Sequence, residues 1–195
     1  MSKIIVFEGP DRCGKKTQTH LLRNYLATKA YRSTIIEVPV YGNPTYQVIY
    51  WMLGNGLAKK FPKLFQWFQY FNRKIFQTFF LPSLLRNNDY IILDRWSLST
   101  IVYGSAEGVD VAFSELLASK LIYPDYTILL LGKSHMQHAE DVYEADDSLQ
   151  KSVKKLYENW STHNSSVSSI INCSLTREEV FDQVKSSLQN ANIIL

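Results

Sequence analysis

The sequence predicts an α/β fold in which helices cover both faces of a parallel β-sheet. Short apolar runs alternate along the chain with longer stretches of helical character, and this alternation is typical of strand–helix–strand units. The runs are apolar at successive residues rather than at every second residue, which is the pattern of central strands buried on both faces. Five runs are predicted as strands: residues 4–7, 34–38, 90–93, 126–131 and 168–171.

Length and composition favour a single globular domain over residues 1–195. Hydrophobic residues make up 46% of the chain and charged residues 20%, which suits a protein with a substantial core. The formal net charge of +3 is too small to indicate a nucleic-acid partner, but a modest excess of Lys and Arg suits a protein that handles phosphates. No apolar run approaches the roughly 20 residues of a membrane span, and the first residues lack the pattern of a signal peptide. We therefore expect a cytoplasmic protein with no membrane partner.

The segment 7–18, which reads FEGPDRCGKKTQ, has the pattern of a phosphate-binding loop. A Gly-x-x-x-x-Gly-Lys pattern begins at Gly9, between a predicted strand and a predicted helix, and this context makes the match meaningful. Glycines let backbone N–H groups cradle phosphate oxygens, the helix N-terminus adds its dipole, and Lys15 would reach the β- and γ-phosphates. Lys16 stands where the pattern asks for a Ser or Thr to hold Mg²⁺, and Thr17 is the nearest hydroxyl. A chance glycine turn is the alternative interpretation.

The two cysteines, Cys13 and Cys173, are far apart in sequence and have no metal-binding spacing. We expect both to be free thiols in a reducing compartment. Cys13 lies in the predicted phosphate loop, where a helix N-terminus and neighbouring Lys residues favour a reactive thiol.

A turn-rich connection after the second strand leads to a predicted helix at 45–53 and then to a long helix at 62–87, which Pro82 should end or kink. The polar residues of the long helix follow one another at spacings of three and four, which places them on one face. That face is either the solvated side of the helix or the lining of a polar ligand pocket, with the aromatic faces in the core and at a subunit interface. The polar residues are Gln66, Gln69, Arg73 and Gln77.

The pair Asp94 and Arg95 follows the third predicted strand directly. The carboxyl ends of parallel strands are where open α/β sheets bind ligands, so Asp94 could hold Mg²⁺ and Arg95 could neutralise a phosphate. The alternative is a pair that only caps the following helix. On that helix, Ser99 and Tyr103 share a face and could contact a sugar or a base.

After the fourth strand, residues 132–147 are interpreted as a mobile lid over a nucleotide. They contain His135 and His138, but without a clear third ligand we disfavour a zinc site. Helices are predicted at 148–160 and 176–188, the second with a capping-box pattern formed by Thr176 and Glu179.

Together these segments resemble the thymidylate kinase family of nucleoside monophosphate kinases, over nearly the full length of the chain. The features that carry the resemblance, in the family's order, are the segment 7–18, Pro39, the triplet 71–73 and the segment 94–100 with Tyr103. The resemblance implies a three-layer P-loop nucleoside monophosphate kinase fold around a five-stranded parallel sheet. It also implies an enzyme that transfers a phosphoryl group from ATP to dTMP with Mg²⁺, and a homodimer packed through helices.

The same resemblance assigns roles to single residues. Catalysis would involve Asp11, Arg12, Lys15, Asp94 and Arg95. ATP would be bound by Gly9, Pro10, Asp11, Arg12, Cys13, Gly14, Lys15, Lys16 and Thr17. The acceptor nucleotide would be bound by Asp11, Tyr41, Gln69, Arg73, Arg95, Ser99, Thr100 and Tyr103. Mg²⁺ would be held by Thr17 and Asp94.

Arg12 in the phosphate loop and a lid segment without Arg resemble the class of members whose catalytic Arg lies in that loop, where it can neutralise the charge of the transferring phosphoryl group. Besides Lys16, three residues depart from the family's pattern. Tyr41 stands where an Arg is frequent, Gln69 where an aromatic usually stacks on thymine, and Ile101 where bacterial members carry a Gln.

Three alternatives to a dTMP kinase therefore stay open from the sequence. An amide at position 69 can form paired hydrogen bonds with a base edge, so the acceptor could be another or a modified pyrimidine monophosphate. A nucleoside kinase is less favoured, because that class usually has a Glu-Arg pair and an Arg-rich lid. A non-catalytic nucleotide-binding homologue is the third.

Overall fold

A computed structural model of the chain describes residues 2–132, 146–163 and 168–195. Its sheet has five strands, all parallel, in the order β2-β3-β1-β4-β5. The strands are β1 Lys3–Glu8, β2 Ser33–Glu37, β3 Tyr90–Asp94, β4 Tyr126–Leu131 and β5 Ser169–Asn172. Each lies within about one residue of its predicted bounds, and the five-stranded parallel sheet is confirmed. The first strand is the central one, so the loop that follows it lies at the middle of the edge formed by the carboxyl ends of the strands.

Nine α-helices occur in the described ranges. They are α1 Lys15–Thr28, α2 Pro44–Gly54, α3 Leu57–Lys60, α4 Pro62–Ile75, α5 Leu81–Asn87, α6 Ser97–Ala106, α7 Val111–Ala118, α8 Asp147–His163 and α9 Arg177–Asn190. The short helix α3 and the helix α7 were not predicted. The capping box of α9 is confirmed, since Thr176 and Glu179 bond each other's backbone N–H. None of the helices in these ranges has both the length and the apolar character to cross a bilayer.

The core divides between the two faces of the sheet, which confirms the three-layer architecture. Ile5 and Phe7 of β1 point to one face, where they pack with residues of α1 and α9 such as Leu22 and Val184. Ile4 and Val6 point to the other face, where they join a cluster that includes Tyr70, Phe76, Leu81, Trp96 and Leu117. Since successive strand residues alternate in direction, a run that is apolar at every position buries both faces.

The long helix predicted at 62–87 is interrupted. It consists of α4, a π-helical turn at Phe76–Phe80, and α5. Pro82 was expected to end or kink the helix, but the irregular turn lies just before it. The physical reason is that Pro82 has no N–H to donate and its ring crowds the carbonyl four residues earlier, so the preceding turn widens.

Asn72 of α4 fastens the loop after β2 to this helix. Its fully buried side chain accepts from Val40 N at 2.7 Å and donates to Thr45 Oγ1 at 3.1 Å. Asn43 Nδ2 donates to the Asn72 carbonyl at 2.9 Å. In this loop the Val38–Pro39 peptide is cis. The residues that follow β2 are thereby held against the same helix that carries the polar face.

Replacing Asn72 with Ala should lower the free energy of unfolding by about 2 kcal/mol, because a partly buried Val40 N–H loses its acceptor and the fully buried Asn72 side chain loses its bonds. Urea unfolding followed by circular dichroism measures the change. Asn24→Ala, at an exposed position of α1, is the matched control and should change stability by less than about 0.5 kcal/mol. Equal effects of the two substitutions would contradict the role given to Asn72.

Candidate active site

The phosphate loop joins β1 to α1 and depends on glycine at both ends. A Cβ on Gly9 would lie 2.4 Å from the carbonyl oxygen of Leu130, and the φ of Gly9 is +142°, so a side chain is excluded there. Gly14, with a φ of +77°, precedes the first residue of α1. The Lys15 ammonium is buried and folds back onto the loop, donating to the carbonyls of Gly9 at 3.2 Å and Pro10 at 2.7 Å. Burial lowers the pKa of Lys15.

Asp11 of the loop pairs with Arg95 of the segment after β3. Arg95 donates to Asp11 Oδ1 and also, at 3.0 Å, to the Gly9 carbonyl. Two further donors reach Asp11 Oδ2, the Tyr103 hydroxyl at 2.8 Å and Gln150 Nε2 at 2.7 Å. Burial tends to raise the pKa of Asp11, but the charges of Arg95 and Lys15 and these hydrogen bonds lower it to about 2. Asp11 is therefore a carboxylate at neutral pH, with its oxygens fixed by three side chains.

Backbone strain is present on both sides of this ion pair. Arg12 has a φ of +61° and Arg95 a φ of +70°, a left-handed region that costs side-chain-bearing residues of order 1 kcal/mol or more. Such conformations persist where neighbouring contacts hold them, and they are common at ligand sites. The two arginines predicted to be catalytic thus lie in strained turns.

Glu8, the last residue of β1, is a buried carboxylate that binds the start of α6. Its Oε1 accepts from the backbone N–H groups of Trp96 at 2.8 Å and Ser99 at 3.2 Å. Its Oε2 accepts from the Ser99 hydroxyl at 2.5 Å and the Tyr157 hydroxyl at 3.0 Å. The N-cap residue, Trp96, makes no capping hydrogen bond with its side chain, and Glu8 supplies the acceptor from another element. The alternative that the Asp94–Arg95 pair serves only to cap the helix is wrong.

A pocket opens beside the ion pair, between α4 and α6. It brings together six of the eight residues predicted to bind the acceptor. Those six are Asp11, Gln69, Arg73, Arg95, Ser99 and Tyr103. Gln66 also lines the pocket, whereas Gln77 accepts from the backbone of Ile122 at 2.7 Å. Three residues of the predicted polar face, Gln66, Gln69 and Arg73, therefore line the pocket. The fourth, Gln77, instead bonds the backbone of the loop at Ile122.

Arg73 is a buried cation whose hydrogen-bond acceptors are neutral. Its NH1 donates to the carbonyl of Gln69 at 2.9 Å and to Gln69 Oε1 at 3.3 Å, and its Nε has no partner among the described residues. Burial lowers the pKa of Arg73 to about 10, so it stays charged at neutral pH. A buried guanidinium with unused donors in a pocket is suited to a ligand that brings acceptors.

Two of the predicted acceptor residues lie elsewhere. Tyr41 is 84% exposed and stacks edge-on against Tyr46. Thr100 is buried, and within the described chain its hydroxyl has no hydrogen-bond partner and the pocket lining does not include it. The predicted lid at 132–147, with His135 and His138, falls almost entirely on residues 133–145, outside the described residues.

Asp94 and Thr17 were predicted to hold Mg²⁺. Burial raises the pKa of Asp94, and the charges of Lys15 and Arg95 oppose that rise, so its carboxylate lies in the field of the phosphate-loop Lys. Thr17 is exposed on the first turn of α1. Mg²⁺ sites in phosphotransferases typically use one or two carboxylates together with water and substrate phosphates. One carboxylate and one accessible hydroxyl beside a phosphate loop fit that donor set.

Lys16 turns away from the loop. Its ammonium lies 3.3 Å from Glu37 of β2, and both side chains are more than half exposed. Exposed ion pairs contribute little to stability. The pair with Glu37 therefore does not explain why a Lys stands where the phosphate-loop pattern has a metal-binding Ser or Thr.

The two cysteines meet in space. Cys13 and Cys173 are free thiols and both are buried. The Cys173 thiol donates to Cys13, and this hydrogen bond with the charge of Lys15 lowers the pKa of Cys13 to about 7 against the effect of burial. The structure thus confirms free thiols and adds a contact that their separation in sequence did not indicate.

A phosphate loop after the central strand, an Asp–Arg pair at the end of the neighbouring strand and an adjacent polar pocket define a P-loop kinase with a small-molecule acceptor. Comparison with known proteins identifies the family. A family model for thymidylate kinase matches residues 7–184. The thymidylate kinase of Dictyostelium discoideum is 28% identical over 187 residues, covering 93% of this chain and 82% of that protein.

Two solved structures agree with this result. The thymidylate kinase of Candida albicans superposes with a TM-score of 0.81 at 23% identity, over 98% of this chain and 92% of that one. The thymidylate kinase of Ehrlichia chaffeensis superposes with a TM-score of 0.73 at 26% identity, over 96% and 98% of the two chains. This chain belongs to the thymidylate kinase family, and the resemblance drawn from its sequence is confirmed. It is a nucleoside monophosphate kinase.

Three residues that organise the site were not given a role from the sequence. Glu8, Gln150 and Tyr157 all act across distant parts of the chain, Gln150 and Tyr157 from α8. Only Glu8 carried a local signal, because a charged residue that ends a buried strand needs hydrogen-bond partners. Nothing in the pattern of α8 distinguishes Gln150 or Tyr157 from other residues of an amphipathic helix.

Changing Glu8 to Gln should lower the free energy of unfolding by about 3 kcal/mol, because an NH₂ group then faces donors and leaves at least one of them unpaired. Urea unfolding measures the effect. Glu115→Gln, at an exposed site of α7, makes the same chemical change and should be nearly neutral. An equally stable Glu8→Gln protein would show that the carboxylate does not hold α6.

Proposed function

We propose that this protein transfers the γ-phosphoryl group of ATP to the phosphate of dTMP, giving ADP and dTDP, and that the residues around Asp11 and Arg95 bring the two nucleotides together. A phosphate oxygen of dTMP forms a bond to the γ-phosphorus while the bond to the β,γ-bridging oxygen breaks, and the bridging oxygen leaves with ADP. The observation that carries the proposal is the Asp11–Arg95 ion pair, which joins the phosphate loop to the pocket of Gln69 and Arg73.

On the donor side, residues 9–17 form the ATP site. Backbone N–H groups of the loop and the N-terminus of α1 would bind the phosphates. Lys15, now bonded to the loop's own carbonyls, exchanges those acceptors for β- and γ-phosphate oxygens. Arg12 supplies the cation that neutralises the negative charge of the transferring phosphoryl group. The lid segment contains no Arg that could do so.

On the acceptor side, Arg95 binds the phosphate of dTMP. It reaches Asp11, Ser99 and Tyr103 from one guanidinium, and its geometry suits bidentate contact with a phosphate. We assign Arg73 and Gln69, which line the same pocket, to the base, and the Tyr103 hydroxyl to the sugar. Tyr41 and Thr100 are peripheral in this arrangement, since the pocket forms without them.

Asp94 and Thr17 are the residues that would hold Mg²⁺. The ion, when bound, neutralises charge on the β- and γ-phosphates. Asp94 would provide the carboxylate at the end of β3. The Thr17 hydroxyl would replace the hydroxyl that the phosphate-loop pattern has at position 16, where this chain has Lys16.

The working form is proposed to be a cytoplasmic homodimer. Leu64, Trp67 and Phe71 of α4 form an apolar ridge opposite the pocket and remain 49%, 43% and 38% exposed, and Trp67 stacks on Phe71 at 4.7 Å. Contiguous apolar surface of this kind is typical of protein–protein interfaces. Buried free thiols favour a reducing compartment.

The test is phosphoryl transfer from ATP·Mg²⁺ by the purified protein, with dTMP, dUMP, dCMP, dGMP and thymidine offered separately. Phosphorylation of dTMP is expected, and none of thymidine. The Lys15→Met variant should lose roughly 100-fold or more in kcat, which controls for contaminating kinases. Preference for another monophosphate would keep the kinase class and change the acceptor, whereas turnover of none would overturn the proposal.

Lys16→Ser should lower the Mg²⁺ concentration needed for half-maximal rate, because a hydroxyl at this position can coordinate the ion directly. The Mg²⁺ dependence at saturating ATP and dTMP measures this. Lys29→Ser, which makes the same chemical change at an exposed position after the C-terminal end of α1, is the control and should leave it unchanged. If Lys16→Ser does not shift the Mg²⁺ dependence, then Thr17 or water already completes the site.

A further inference from the structure

Gln66 and Gln69 lie three residues apart on the pocket face of α4, and both line the pocket with Arg73. Gln66 is only 2% exposed, so its amide cannot be a solvated surface group. A side-chain amide has a donor end and an acceptor end, and which end faces a ligand decides which bases it can bind. The neighbours of each amide determine its orientation here.

Arg73 orients the amide of Gln69. Its NH1 group lies 3.3 Å from Gln69 Oε1 and 2.9 Å from the carbonyl oxygen of the same residue. An arginine offers only donors, so the oxygen of the Gln69 amide must face it. The Nε2 group of Gln69 is then the end that can donate to a ligand.

Glu107 orients the amide of Gln66 in the opposite sense. Glu107 follows α6 directly, and its Oε2 lies 3.2 Å from Gln66 Nε2. Burial raises the pKa of Glu107 to about 7. Above that pH its carboxylate only accepts, so the nitrogen of the Gln66 amide must face it. The Oε1 atom of Gln66 is then the end that can accept from a ligand.

The pocket thus presents a donor from Gln69 beside an acceptor from Gln66. This pair complements the O4 and N3–H groups of thymine or uracil. Cytosine carries an amino group and an unprotonated N3 at the same positions, so both hydrogen bonds would be reversed.

We infer that Gln66, oriented by Glu107, reads the N3–H group of the acceptor base and, with Gln69, selects 4-oxo pyrimidine monophosphates over dCMP. Gln66 is a specificity-determining residue and Glu107 is its positioning residue. The inference rests on the proposed kinase function and adds to it the residues that discriminate between bases.

The decisive readout is the ratio of kcat/KM values for dTMP, dUMP and dCMP. Gln66→Met keeps the size of the side chain and removes both of its hydrogen bonds. The dTMP-to-dCMP ratio should fall by roughly 10- to 100-fold, mainly through the KM of dTMP. The dTMP-to-dUMP ratio should stay the same, because the two bases share this edge.

Glu107→Gln tests the positioning role without adding bulk, and it covers the case in which Gln66→Met folds poorly. An amide at position 107 can donate or accept, so Gln66 is no longer held in one orientation, and the dTMP-to-dCMP ratio should fall by about tenfold. Burial raises the pKa of Glu107 to about 7, so assays at about pH 8.5 keep the wild-type carboxylate ionised. Gln47→Met and Glu115→Gln, both at exposed positions, are the matched controls and should change no ratio.

The outcomes distinguish a failure of the proposed kinase function from a failure of the proposed base selection. If the wild-type enzyme phosphorylates no monophosphate, the proposed function is overturned. If it phosphorylates dTMP but both variants keep the wild-type dTMP-to-dCMP ratio, the inference is overturned and the function stands. An equal loss on all three substrates means that Gln66 and Glu107 only support the fold, which also overturns the inference.

Discussion

The carboxylate of Glu8 is the contact on which the geometry of the site depends. It ends the central strand, one residue before the phosphate loop begins, and accepts hydrogen bonds from Trp96, Ser99 and Tyr157. Burying a carboxylate is costly unless donors surround it, so the fold must bring α6 and α8 to this point to satisfy it. The phosphate loop and the helix α6, which lines the pocket, are thereby fixed to the same residue.

The Asp11–Arg95 pair follows from this arrangement. Once Glu8 holds the start of α6, Arg95 lies beside the phosphate loop and can bond both the Gly9 carbonyl and Asp11. The strained backbone at Arg95 is stabilised by these contacts, because relaxing it would break an ion pair that is mostly removed from solvent. Arg12, the other strained residue, directly follows the Asp11 of that pair. Phosphoryl transfer needs positioned charge more than covalent chemistry, and under the proposed function the ion pair would supply such positioning before either nucleotide binds.

What the sequence could predict follows from the range of each interaction. The strands, the phosphate loop and the capping box of α9 are local patterns, and they were predicted within about a residue. The polar face of α4 was visible in its spacing, although only Gln66, Gln69 and Arg73 line the pocket. Partners such as Gln150 and Glu107 come from segments about 40 or more residues away, where no local pattern marks them. The π-helical turn before Pro82 was missed because Pro gives the position of a break but not its form.

Gln69 departs from the aromatic residue that its family usually has, and the structure gives a physical reason why the fold accepts it. The buried guanidinium of Arg73 needs acceptors, and Gln69 supplies two oxygens to it, which reduces the cost of keeping a charge in the pocket. An aromatic ring at this position would supply only the backbone oxygen and would leave Arg73 more dependent on the ligand. The exchange replaces a stacking surface with an oriented amide, which under the proposed function would move recognition of the base from the face of its ring to its edge. Edge recognition needs a fixed acceptor as well as a fixed donor, and in the inferred binding mode that acceptor is the Oε1 atom of Gln66, whose amide is oriented by Glu107.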